Sequence, residues 1–162
     1  MTDLEYDFFT KQDVKICVDK KDKSQYRVKI LTNNPLLFYQ VWQPNGKNNS
    51  TRYANEIPIN NFVKLFLDYN VKNTIKYSPT TVVEIDNTLH VLVMTNVELD
   101  KKGRTVFYFK KNSVEIINKV QPINSTLPLG IFNNVRFDID SVTSKKPPVT
   151  FSKKPCGAGC LE

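Results

Sequence analysis

Histidine and tryptophan each occur once in 162 residues, methionine twice, cysteine three times and glycine five times. Each scarcity excludes something. A lone His90 leaves a hydrolytic triad with one candidate base, set mid-strand among Leu89, Val91 and Leu92, where a structural or solvent-facing imidazole is the simpler reading. Three cysteines make no disulfide framework, and Cys17, in an apolar-looking run, reads as a small buried thiol. Cys156 and Cys160 flank Gly-Ala-Gly as one wide pair, short of the four ligands of structural zinc. The glycines are too scattered for a phosphate-cradling loop or a nucleotide fingerprint, so no cofactor is expected.

Long apolar runs are missing too. Nothing approaches the roughly 20 apolar residues needed to span a bilayer as a helix. The acidic start MTDLEYDFFTKQD lacks the basic region and apolar run of a secretory signal. The expectation is an intracellular protein with no membrane partner. Acids are the minority charge, 16 against 23 Lys and Arg, for a net of +7. Lys145, Lys146, Lys153 and Lys154 face one acid, Glu162, across the last twenty residues, which leaves the rest near +4.

What is present is an ordinary globular composition, 40% apolar and 24% charged, enough for one domain with a real core. The chain is organised around residues 80–119. Leu89, Val91, Val93, Val97 and Leu99 alternate with His90, Met94, Asn96 and Glu98, the period of a strand with one buried face. Asp100-Lys101-Lys102-Gly103 then precedes a second β-rich run, 104–110. A polar loop ending in Gly between two such runs is a hairpin signal. Asp86-Asn87 and Lys111-Asn112 are similar punctuation, which predicts four consecutive antiparallel strands.

Upstream, Val14, Ile16 and Val18 predict a first strand, and Tyr26, Val28 and Ile30 a second, joined by a solvated turn at 20–24. Leu36 to Gln43 is apolar at nearly every position, as in a strand buried on both faces or lying under a helix, and 45–52 reads as an exposed loop. Ile59, Phe62, Val63, Phe66 and Leu67 follow the helical period, with Lys64 and Asp68 on the far side. They predict an amphipathic helix over 60–70 with Asn60 as N-cap. Thr2 and Glu5 have capping-box spacing and suggest a short helix across 3–9. Val135, Phe137 and Ile139 predict a last strand. The sum is an all-β domain over residues 1–142: an antiparallel β-barrel or sandwich of about seven to eight strands with one or two flanking α-helices, one covering an open end. Pro, Lys and Ser dominate 143–162, which reads as a flexible basic tail.

Two further patterns bear on chemistry. Asp138 and Asp140 fall on one strand face, as a cation or acid/base pair would, though polar teeth on an exposed face have the same spacing. KGRTVFYF, residues 102–109, begins and ends like an RNA-recognition signature. It has Arg104 and Thr105 where that signature needs an aromatic residue and a small one, and the surrounding meander lacks the fold's helical crossovers.

The run NNPLLFYQVWQPNG, residues 33–46, in an intracellular β-protein of this length with a Lys/Pro-rich tail, resembles the baculovirus telokin-like protein family over residues 5–142. The resemblance implies a viral protein of the infected insect cell, in cytoplasm or nucleus, built as an antiparallel barrel flanked by helices. It transfers no activity and no catalytic residues. The expected function is therefore non-enzymatic: a structural or interaction protein presenting loops and a basic tail to protein partners. The alternative is weak, sequence-independent nucleic-acid contact through Lys145, Lys146, Lys153 and Lys154. An enzyme using carboxylates ranks third.

Overall fold

A computed structural model describes residues 4–44, 50–111 and 125–144. Their strands are β1 (Leu4–Val18), β2 (Gln25–Ile30), β3 (Leu36–Pro44), β4 (Ser50–Pro58), β5 (Thr80–Ile85), β6 (Thr88–Leu99), β7 (Thr105–Lys110) and β8 (Gly130–Ser144); one helix, α1 (Ile59–Lys72), lies between β4 and β5. All pairings are antiparallel. Six strands close on themselves in the order β1-β2-β7-β6-β5-β8 and back to β1, which makes an antiparallel barrel.

β1 is long enough to serve two neighbours on one side. Its second half, Val14 to Val18, pairs with β2 and completes the barrel, while Glu5 to Phe9 pair with β3. The wall forks there, and β3–β4 continues outward as an extra hairpin. The alternation of Tyr6 and Phe8 with Asp7 and Phe9 explains why 4–9 is strand rather than the expected short helix. Paired between β3 and β8, this stretch buries Tyr6 and Phe8, both 1% exposed. β4 takes up Ser50 to Arg52, expected as loop, because the register of β3 runs unbroken from Leu36↔Pro58 to Pro44↔Ser50. Within β3 one face is buried at Leu37, Tyr39 and Val41, and the other exposes Leu36 and Phe38, so it is not buried on both faces.

The core is a chain of aromatic rings. Phe62 of α1 meets Phe8 at 5.0 Å and Phe107 at 6.2 Å, and Phe107 meets Phe137 at 5.4 Å and Phe109 at 6.3 Å. α1 closes the barrel end where β2 finishes and β7 begins: Ile59 N–H donates to Pro35 O, and Thr105 Oγ1 donates to Asn60 Oδ1. The helix is two residues longer at its C-terminus than predicted and starts after Pro58, which caps no N–H with its side chain. Asn60 is thus inside the helix, tied to β7, and is not the N-cap. The buried stripe is Ile59, Phe62, Val63, Leu65 and Phe66; Leu67 is exposed, and Asp68 pairs with Lys72 at 3.0 Å rather than with Lys64. No helix among the described residues is long and apolar enough to cross a membrane.

The central hairpin forms as expected. Gly103 has φ +78 and donates its N–H to Asp100 O at 2.9 Å, a left-handed conformation that glycine adopts without the strain of a Cβ. One feature of β6 inverts the expected pattern. An extra residue, Thr95, bulges against β7 between Met94↔Phe109 and Asn96↔Tyr108. His90, Leu92 and Met94 therefore point inward before the bulge and Val97 after it, while Leu89 is 56% exposed. The predicted fourth strand of the meander, 113–119, and the tail from 145 onward lie outside the described residues. Thr143 and Ser144, expected to begin the tail, are the end of β8, paired with Glu5 and Leu4.

Candidate functional site

The side chains singled out by sequence are dispersed. His90 is 5% exposed, and its Nδ1 lies 2.7 Å from Thr126 O. A carbonyl can only accept, so Nδ1 carries the proton, and the imidazole fastens the 125–129 segment across the second barrel end, where Leu127 is buried. Asp138 and Asp140 share a face of β8; Asp138 is ion-paired with Arg136 at 3.1 Å, and the backbone O of Asp140 accepts from Tyr77 Oη at 2.6 Å. Among the described residues no group of three His, Cys, Asp or Glu could hold a metal ion. Phe107 and Phe109 of the KGRTVFYF stretch are fully buried in the core and offer nothing to a base. Lys145, Lys146, Lys153, Lys154, Cys156 and Cys160 lie outside the described residues.

A cleft of about 370 Å³ opens at the start of α1, between the β2–β3 turn and the β6–β7 loop. Three of its polar side chains are committed to the fold: Arg104 Nη1 donates to Leu31 O at 2.7 Å, and Thr105 bonds Asn60.

A different picture emerges on the outer wall formed by β1, β2, β7 and β6. Strand pairing sets Lys15, Lys29, Val106 and Glu98 in one row and Cys17, Arg27, Tyr108 and Asn96 in the next. Cys17 is therefore a half-buried outward residue, its Sγ 3.7 Å from Arg27 O, and not a core thiol. Lys15 and Lys29 are direct cross-strand neighbours of like charge, an arrangement that destabilises a sheet. Beside them Tyr108 Oη donates to Glu98, and Arg27 also bonds the phenol. Burial raises the Tyr108 phenol above its ordinary pKa and the bond to Glu98 adds to the rise, while Arg27 opposes it. Lys29 Nζ reaches Asp100 Oδ2 at 3.3 Å. The Arg104 backbone N–H, together with that of Lys102 and the Lys29 ammonium, holds the Asp100 carboxyl below the usual range against its desolvation. Lys15, Cys17, Arg27, Lys29, Glu98 and Tyr108, with Val18, Asp19, Lys20 and Lys21 from the end of β1 and its turn, border a concavity of about 420 Å³.

No family model, curated protein or solved structure matches the chain. The wall must be read from its own chemistry.

That chemistry is a separation of charge. Residues 11–31 and 98–111, which build this wall and its two turns, hold twelve Lys and Arg against five Asp and Glu, a net of +7. The remaining described residues hold five against eight, a net of −3. The sequence alone showed 20–24 as a solvated turn and placed the charge asymmetry in the tail. The β2–β7 pairing joins segments about eighty residues apart, such as Lys29 and Val106. No local pattern announces it.

Proposed function

We propose that this is a non-enzymatic binding protein, a rigid barrel that acts from its outer surface on a macromolecular partner. The observation that carries the reading is the filled interior. Phe8, Phe62, Phe107 and Phe137 are each at most 1% exposed and touch in sequence, α1 closes one end, and Leu127 with the His90-fastened segment closes the other. Side chains filling the inside in this way are what a small barrel with a packed core has, and a ligand-holding barrel keeps that space open. Contact with a partner then belongs to the outside. The resemblance to baculovirus telokin-like proteins gives the proposal its setting, a viral interaction protein in the infected cell.

The test is sedimentation of the tagged full chain in extract of the cells that make it, at physiological salt. The expected result is a particle well above the 18.7 kDa of one chain. Migration at the monomer mass would overturn the reading. So would turnover of a substrate that disappears in Asp138→Asn while the melting temperature holds.

A further inference from the structure

We infer that the β1–β2–β7 wall of the barrel is a binding surface for the phosphate backbone of nucleic acid, contacted without sequence preference. The inference rests on the reading of the barrel as a surface-acting binding protein and names its partner. Three observations lead to it. First, the two segments that build the wall and its turns carry the +7 described above, the rest of the described body is −3, and the wall's concavity itself sets Lys15, Lys20, Lys21, Arg27 and Lys29 against Asp19 and Glu98. A face of one sign attracts and orients a polyanion, and a uniformly basic body would not orient it. Second, the charge runs the full height of the barrel, from Lys20 and Lys21 in one turn to Lys101 and Lys102 in the other. The six residues of β2 between them span roughly 20 Å at about 3.4 Å each. The Lys15–Lys29 opposition lies toward the Lys101 end of that span; Asp100 already meets Lys29 at 3.3 Å, and an anion over the exposed Lys15 would relieve the repulsion that is left.

Third, the wall lacks what other partners need. Protein interfaces centre on aromatic and aliphatic residues. Here the large exposed apolar side chains stand only at the margins, Leu99 at the end of β6 and Ile131 on β8 opposite Lys15. Base-stacking surfaces need open rings. Tyr108, the outward aromatic residue of β7, is 8% exposed and held by Arg27 and Glu98. What remains is a surplus of ammonium and guanidinium groups over Asp19, Glu98 and Asp100 on a rigid sheet, which can meet phosphates but cannot read bases.

The test uses the full chain and a fluorescent 30-base-pair duplex of mixed sequence, titrated from 50 to 200 mM salt. The wall variant K15Q/K20Q/K21Q changes three exposed lysines, and K64Q/K72Q/K76Q removes the same charge from the exposed lysines of α1 and its exit. If all three wall lysines contact phosphate, the wall variant reduces the slope of log K against log salt by about 2.7, at roughly 0.9 per contact. Affinity at 50 mM salt falls on the order of tenfold or more, and the helix variant keeps the wild-type slope. Equal effects of the two triple variants would mean that only net charge matters, and would overturn the inference. So would full loss of binding in K145Q/K146Q/K153Q/K154Q with the wall variant unaffected, or tighter binding of polyglutamate than of the duplex. If Gln at 20 and 21 disturbs the turn, Lys15→Gln alone must still remove about 0.9 from the slope. Failure here leaves the heavy complex in cell extract unaffected, so the two readings fall separately.

Discussion

Replacing Tyr with Phe removes one hydroxyl, and in this barrel the same deletion should have opposite signs at two positions. Tyr6 of β1 is 1% exposed, and its Oη has no hydrogen-bond partner among the described residues. Burying a hydroxyl that way costs about 1–3 kcal/mol of desolvation. Tyr6→Phe deletes that penalty at the expense of a small void, so it should stabilise by about 1 kcal/mol at pH 7. Tyr77 is 7% exposed, but its Oη donates to Asp140 O at 2.6 Å, and its ring packs on Phe66 at 5.6 Å. Tyr77→Phe removes that hydrogen bond and should destabilise by about 1–2 kcal/mol. pH acts on both cases, because burial raises the Tyr77 phenol as well, so the Tyr77→Phe deficit should shrink at high pH. Burial pushes the Tyr6 phenol up to about 12, above its ordinary 10.0. The folded state therefore keeps a proton that the unfolded state releases above pH 10, and stability present at neutral pH drains away as pH climbs from 10 toward 12. At pH 11 the loss has an upper limit of about 1.4 kcal/mol. Urea unfolding of wild type and both variants at pH 7 and pH 11 measures all of this. The Tyr6→Phe advantage should widen at pH 11. Destabilisation by Tyr6→Phe at pH 7, or the same sign for both variants at pH 7, would refute the reasoning, because the Tyr6 hydroxyl would then have a partner.

Other substitutions probe the architecture. Gly103→Val forces a β-branched residue to φ +78; a Cβ meets nothing within 4 Å there, so the cost of about 1–3 kcal/mol is backbone strain alone, and Lys101→Val should be much milder in thermal melts. Phe66→Asp places a carboxylate in the helix–barrel interface and should prevent folding or lower the melting temperature severely, whereas Leu67→Asp, at 44% exposure, should be nearly silent by circular dichroism. Phe107→Ala removes the ring shared by Phe62, Phe109 and Phe137 and should cost about 3–5 kcal/mol in urea unfolding, with a smaller loss meaning that the barrel collapses around the gap.

Where local chemistry decides conformation, the chain announces its structure. The period-2 runs at Val14–Val18, Tyr26–Ile30 and Val135–Ile139 are strands, the period-3.6 run of Ile59, Phe62, Val63 and Phe66 is a helix, and Gly103 is the left-handed residue of its loop. Each follows from interactions within a few residues: side-chain alternation, the steric cost of a Cβ, the reach of one helical turn. The failures share a cause as well. Alternation in β6 pointed His90 outward because one bulged residue, Thr95, reverses the face, and bulges answer to the partner strand β7. Residues 4–9 and 50–52 gave no strand signal strong enough alone, and they are strands because β3 lies between them.

The surface divides the same way. Composition determined that the protein carries excess positive charge, that one domain can bury a core, and that the metal, nucleotide and triad motifs a sequence can display are missing. Only the tertiary structure decided where the charge of the described body goes. Closure of the barrel brings residues 11–31 against 98–111 and makes a basic wall from two segments that are unremarkable alone. Closure is a property of long-range pairing, set when β1 forks between β2 and β3, and no window of sequence contains both sides of that contact.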